Sequence, residues 1–298
     1  MLYAACALAG LSALALVAEI VRELVRGAAP AISRYGLAFV LHSRWAPNFG
    51  RFGGAQALYG TGMTSAIALA LAAPIGLAIG LYLAVLAPSG VRAVVGPLVE
   101  LLAAIPSVIV GFWGVDVLAP FVAHHLEGPL HAALGGIPLF GAPQTTGLSV
   151  FTAGLTLALM VVPIVAALSR DLFATVPREL TDGAAALGAT RWEVIRGVVL
   201  PATASGLAAA IVLGLGRALG EAIAVLQVIG DGEGIHASLF LPGNALAPRI
   251  AQEFISPVGN EIPALFYLGL ILLAIELSIS LIARWIGRRF DVTRALST

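Results

Sequence analysis

The chain has no lysine; all 16 of its basic residues are arginine. A P-loop sets a lysine against the nucleotide phosphates. This chain therefore carries no P-loop, and any ATP that drives it is hydrolysed by another subunit. Charge of either sign is scarce, at 11% of 298 residues against roughly 25% in soluble domains. The formal net charge of zero lacks the basic surplus of a nucleic-acid binder. One cysteine, Cys6, sits in an apolar stretch, which excludes a disulfide framework and a cysteine metal site. His124, His125 and His131 cluster without a zinc-ligand spacing. No metal and no cofactor are expected. What remains is apolar: 59% of the chain, the composition of a polytopic membrane protein.

Six apolar stretches reach the roughly 20 residues that a bilayer crossing needs. They lie at about 2–21, 58–86, 92–122, 147–169, 203–229 and 262–286. The expected fold is all-α, with six transmembrane helices in a single domain over 1–298 and no internal repeat. The first stretch has no basic leader and no small-residue cleavage site, so it reads as a helix that stays. Arginine placement sets the orientation. Arg92, then Arg170, Arg178, Arg191 and Arg196, then Arg284, Arg288, Arg289 and Arg294 mark three segments as cytoplasmic, with both termini inside. The segment after the first span disagrees. It holds Arg22, Arg26, Arg34, Arg44 and Arg51, yet this topology puts it outside. The outer segments, about 22–57, 123–146 and 230–261, are rich in Gly, Pro, His and aromatics and read as short structured loops.

Within the spans, Arg217 and Glu221 are the strongest chemical signal. An arginine at the centre of a membrane helix costs roughly 2.5–3.5 kcal/mol on insertion scales, so it faces a cavity or a partner. One turn apart, the two residues can pair, and the guanidinium fork also matches phosphate or carboxylate. Two readings stay open: an anion contact gated by Glu221, or a salt bridge that positions the helix. Glu276 needs a partner from another helix or a proton. Glu100 and Glu19 read as interfacial, and Asp116 lies toward the outer end of the third span. Gly216 and Gly220 have the small-xxx-small spacing of close helix approach. Pro74, Pro106 and Pro163 fall inside spans, as kinks or hinges.

Residues 177–201, PRELTDGAAALGATRWEVIRGVVLP, form a polar patch in this apolar chain. Pro177 suits a helix's first turn, and Ala184, Ala185 and Ala186 extend the helix. Gly188 can end it in a left-handed conformation. Thr190 and Glu193 form a capping box for a second helix, which Pro201 should end. The pattern fits a rigid knob that grips a partner or an ordinary interfacial hairpin.

The spacing of Asp182, Gly183, Ala184, Gly188, Val198, Leu200 and Pro201 resembles the EAA loop of ABC importer permeases. Residues 214–225, GLGRALGEAIAV, resemble the GLGRALGE segment of the PstC-type permease family of phosphate ABC importers. The sequence LPGN at 241–244 with Glu253 and Phe254, ELLAAIPSV at 100–108, and RWEV at 191–194 match that family too, over about 35–290. The motif's glutamate and first alanine are Asp182 and Gly183 here.

The resemblance implies the type I importer permease fold in a bacterial cytoplasmic membrane, and a translocating subunit without catalytic residues. It implies a second, PstA-like permease, a cytoplasmic ATPase dimer gripping the 170–201 loop, and an external phosphate-binding protein. It also allows coupling to a phosphate-responsive sensor kinase. By motif position, Arg217 and Glu221 carry over to phosphate translocation. Asp182, Gly183, Ala184, Gly188, Leu200 and Pro201 carry over to ATPase coupling. A permease for molybdate or sulfate, or an ATP-independent secondary transporter marked by an inverted repeat or broken charged helices, is the alternative.

Overall fold

A computed structural model describes residues 2–259 and 261–289; Arg294 lies outside the described residues. Ten helical elements position the site. They are α1 Leu2–Tyr35, α2 Ala55–Leu86, α3 Ser89–Ala103, α4 Ser107–Leu134, α5 Val150–Ala174, α6 Arg178–Ala186, α7 Arg191–Gly220, α8 Ile223–Val228, α9 Leu246–Glu253 and α10 Glu261–Arg289. Six of these, α1, α2, α4, α5, α7 and α10, are long and apolar enough to cross a membrane. The all-helical, six-span expectation holds, but several boundaries move.

The first helix does not stop near residue 21. It runs 34 residues, about 50 Å at roughly 1.5 Å per residue, well beyond the ~30 Å of a hydrocarbon core. Arg22 and Arg26 pair with Glu19 and Glu23 on its surface, so the first loop shrinks to 36–54. The third span is not 92–122. The chain breaks at Ala104–Pro106, because a proline disfavours helical geometry in the residue before it. The crossing rod is Ser107–Leu134, so half of the expected outer loop 123–146 is helix, and Pro106 stands at a break. Pro74 and Pro163 do lie inside helices. The fifth span starts earlier and ends sooner than 203–229, as Arg191–Gly220.

Pro201 does not end the second helix of the 177–201 patch. Four π-helical turns, Tyr82–Leu86, Gly114–Leu118, Ala123–Glu127 and Ile195–Val199, each stop two residues before a proline: Pro88, Pro120, Pro129 and Pro201. A proline ring clashes with the carbonyl four residues back, and widening the preceding turn moves that carbonyl away. At Pro120, Pro129 and Pro201 the helix then continues through the proline.

The centre of the bundle is α2 against α5. A Cβ on Gly76 would stand 2.8 Å from Val165, one on Gly80 2.8 Å from Ser169 and the Ala166 carbonyl, and one on Gly154 2.7 Å from Ile67. Helix association in lipid relies on such close packing, since the tails are as apolar as leucine. Among the described residues nothing stands within 4 Å of the Cβ position at Gly216, so the expected close approach is not made there. The small stripe of α7 is instead Gly206, Ala210 and Gly214, with Gly206 against Leu172 and Gly214 against Val161 and Val165 of α5. Near its C-terminal end α1 packs on α10, with Gly27 under Phe266 and Ala28 and Ala31 in one cluster with Leu265 and Leu268.

Candidate functional site

The rod α7 ends at Gly220 because Glu221 turns extended (φ −73°, ψ 114°). The Glu221 carboxylate then accepts the Ala224 N–H at 3.3 Å, which supplies the start of α8 with the acceptor a helix N-terminus lacks. One side chain thus breaks one helix and begins the next. Its other oxygen lies 3.0 Å from Nη2 of Arg217, one turn back on α7. The pair is lopsided: Glu221 is 4% exposed and Arg217 46%. A guanidinium has five N–H donors, and Glu221 is its one ionic partner among the described residues. Among the described residues the remaining donors make no hydrogen bond, and nearly half of the side chain is exposed. Glu276 of α10 stands beside the same break, its Oε1 3.4 Å from the position a Cβ on Gly220 would take. Among the described residues Glu276 makes no ion pair.

The polar patch forms the expected turn. Pro177 precedes α6, and Gly188 adopts φ +89°. The capping box is complete: Thr190 N–H donates to Glu193 at 2.7 Å, and Glu193 N–H to the Thr190 hydroxyl at 3.4 Å. Asp182 and Gly183 are exposed on α6, with Ala184 half-buried. Leu200 and Pro201 lie on the rod α7, past the knob. The tip carries apolar groups that nothing covers, Leu187 at 91% and Trp192 at 62% exposure.

Other charges of the spans are placed elsewhere. Glu100 meets Arg170 at 2.8 Å and so ties α3 to the end of α5, a partnership between distant segments that spacing cannot show. Asp116 is exposed on a π turn and has no ionic partner among the described residues. His125 stacks on Phe121, and His131 bonds the Phe140 carbonyl at 2.8 Å. Among the described residues no three His, Cys, Asp or Glu side chains converge as a metal site.

The segment after α8 carries a feature that sequence reading missed. Residues 229–245 fold back on the bundle through Gly243 N–H to the Ile229 carbonyl at 3.0 Å and Phe151 N–H to the Leu239 carbonyl at 2.9 Å. The Asn244 carbonyl presses on Gly60 of α2, 1.8 Å from where a Cβ would stand. Gly60 admits no side chain, and only its place in a run of small residues hinted at this. On the other side α8 lies on α4 at Gly111 and Gly114.

Comparison with known proteins decides the family. The family described as "Binding-protein-dependent transport system inner membrane component" matches residues 76–292, which takes in the knob, the Arg217–Glu221 pair and all of α10. The chain belongs to this family. Family members are the membrane components of their transport systems, and the PstC-type likeness of residues 214–225 extends along the chain. The chain is 41% identical over 281 residues to the "Phosphate transport system permease protein PstC" of Pasteurella multocida, covering 93% of this chain and 87% of the relative. It is 39% identical to the protein of that name from Haemophilus influenzae (94% and 90% covered) and 40% to that from Mesorhizobium japonicum (95% and 88%). Among solved structures, a bacterial alginate ABC transporter in complex with its periplasmic protein superposes with a TM-score of 0.63 at 18% identity, covering 94% of both chains. The MetNI methionine ABC transporter, inward facing, gives 0.58 at 19%, covering 79% of this chain and 96% of that one. These likenesses establish the importer permease fold. The broken, charged helix at Glu221, one sign expected of a secondary transporter, therefore occurs inside a binding-protein-dependent permease.

Proposed function

We propose that this chain is a permease subunit of an ATP-driven importer of inorganic phosphate, and that Arg217 is the group the anion engages on its way through. The observation that carries the reading is the lopsided pair. The guanidinium sits on a membrane rod at a helix break, half exposed, with one carboxylate on it and, among the described residues, several donors unused. A phosphate oxygen can take the open donors in the bidentate manner that suits arginine. Glu221 then competes with the anion for the same cation. Exchange between the two partners lets phosphate dock without being trapped, and the restored ion pair marks its departure.

Membership of the family supports the partners of this reading. A second, PstA-like permease completes the path, a binding protein delivers phosphate outside, and two copies of an ATPase act from the cytoplasm. The knob around Asp182, Gly183 and Ala184, with the bare Leu187 and Trp192 at its tip, suits an ATPase cleft, because uncovered aromatic and aliphatic groups at a protein surface mark interaction sites. Its left-handed Gly188 and complete capping box make it stiff enough to pass motion into α7. Coupling to a sensor kinase is compatible with this role. The test is Arg217→Gln in the reconstituted complex. Uptake should fall to background while the subunits still co-purify. Wild-type uptake by that variant makes Arg217 a positioning residue and ends the anion-path reading.

A further inference from the structure

The arginines of the first loop run against the charge rule that orients the rest of the chain, and the structure shows where they go. A tight loop folds back on the end of α1. Ala46 and Arg51 exchange both backbone hydrogen bonds, at 2.8 and 3.2 Å, around Gly50, which takes φ +59°. The Tyr35 hydroxyl donates to the Gly50 carbonyl at 2.8 Å and ties the loop to the helix. Arg44 and Arg51, on the two arms of the loop, are thereby brought beside Arg34 of α1. With His42 they line a cavity of about 410 Å³ whose apolar wall includes the buried rings of Phe39 and Phe52.

No acid lines this cavity, and none of the three arginines has an ionic partner among the described residues. Arg34 is braced over the Tyr35 ring at 5.3 Å. Three unneutralised guanidinium groups around one hollow repel each other and are stable together when an anion with several oxygens sits among them. Just outside the cavity, Leu37, Leu41 and Phe49 are bare, at 76–81% exposure. Tyr35 and Trp45 lie alongside, both edge-on to Phe52, in the manner of the aromatic belts at membrane–water boundaries. The apolar collar next to a basic hollow suits a ligand with a charged head and hydrocarbon chains.

We propose that the Arg34–Arg44–Arg51 cavity binds the phosphate headgroup of an anionic phospholipid of the surrounding bilayer, whose acyl chains lie over Leu37 and Leu41. This site stands apart from the Arg217–Glu221 pair. It gives the misplaced arginines a ligand on the face opposite to the one basic residues normally mark.

The full complex, purified in detergent, is exchanged into equal mixtures of phosphatidylglycerol and phosphatidylcholine, and the lipids that stay bound are counted by native mass spectrometry. The wild type should retain phosphatidylglycerol over phosphatidylcholine by roughly tenfold or more, given three cations near one headgroup. Replacing Arg34, Arg44 and Arg51 together by Gln should bring the ratio to about one, while replacing them by Lys keeps most of it and shows that the fold survives. Equal retention of the two lipids by the wild type, or an unchanged ratio in the Gln variant, overturns the proposal. So does displacement of the bound lipid by millimolar orthophosphate, which makes the hollow a site for the free anion. Unchanged lipid retention together with slower uptake from the binding protein also overturns it, and makes the patch a protein contact.

Discussion

The Arg217–Glu221 ion pair joins a backbone role to the transport role proposed for it. The carboxylate caps α8 with one oxygen and meets the guanidinium with the other. Glu221→Gln keeps an acceptor for the Ala224 N–H but removes the charge that competes for Arg217. The break should survive and the anion should leave more slowly, so phosphate uptake is expected to drop while the complex stays assembled; an undiminished rate would show that Glu221 takes no part in release. Much of this pair was legible, since the i,i+4 spacing and the cost of charge in a membrane single it out. That Glu221 ends the helix was not, because an extended residue inside GRALGEAIAV leaves no glycine or proline as a marker. Glu276 was legible as a charge in need of a neighbour, while its place beside Gly220 depends on how α10 crosses α7.

The knob and the glycine contacts belong to whole helices. Thr190→Ala removes one half of the capping box, a loss of about 1 kcal/mol at a helix start, and should loosen the ATPase in co-purification without unfolding the bundle. Gly60→Leu drives a side chain into the Asn244 carbonyl. Overpacking typically costs about 1–3 kcal/mol, and a backbone neighbour yields less than a side chain, so a marked drop in thermal stability is expected for the purified complex. By contrast Glu100→Gln should shift melting little, by less than about 1 kcal/mol, because its bond to Arg170 is more than half exposed on the glutamate side. Helix existence was readable from apolar length, and the turn at Gly188 and Thr190 from local chemistry. The ends were harder. Apolarity alone does not separate 92–103 from the rod after Pro106, and Pro201 looks like a stop until the π turn before it is seen.

The assembled chain combines a glycine-tight α2–α5 centre, a rigid knob with an apolar tip at one end of α7, and a charged break at the other. Because α7 runs unbroken from Arg191 to Gly220, displacement of the knob has a continuous rod through which to reach Arg217. This account makes transport depend on ATP and on phosphate together. The most direct measurement is radiolabelled phosphate uptake into proteoliposomes that hold this chain with its permease partner and ATPase, with binding protein outside, ATP inside, and excess sulfate or molybdate as competitors. The account predicts ATP-dependent phosphate entry that neither competitor blocks and that Arg217→Gln abolishes. Entry without ATP, or ATP-driven entry of a different oxyanion in place of phosphate, would contradict it.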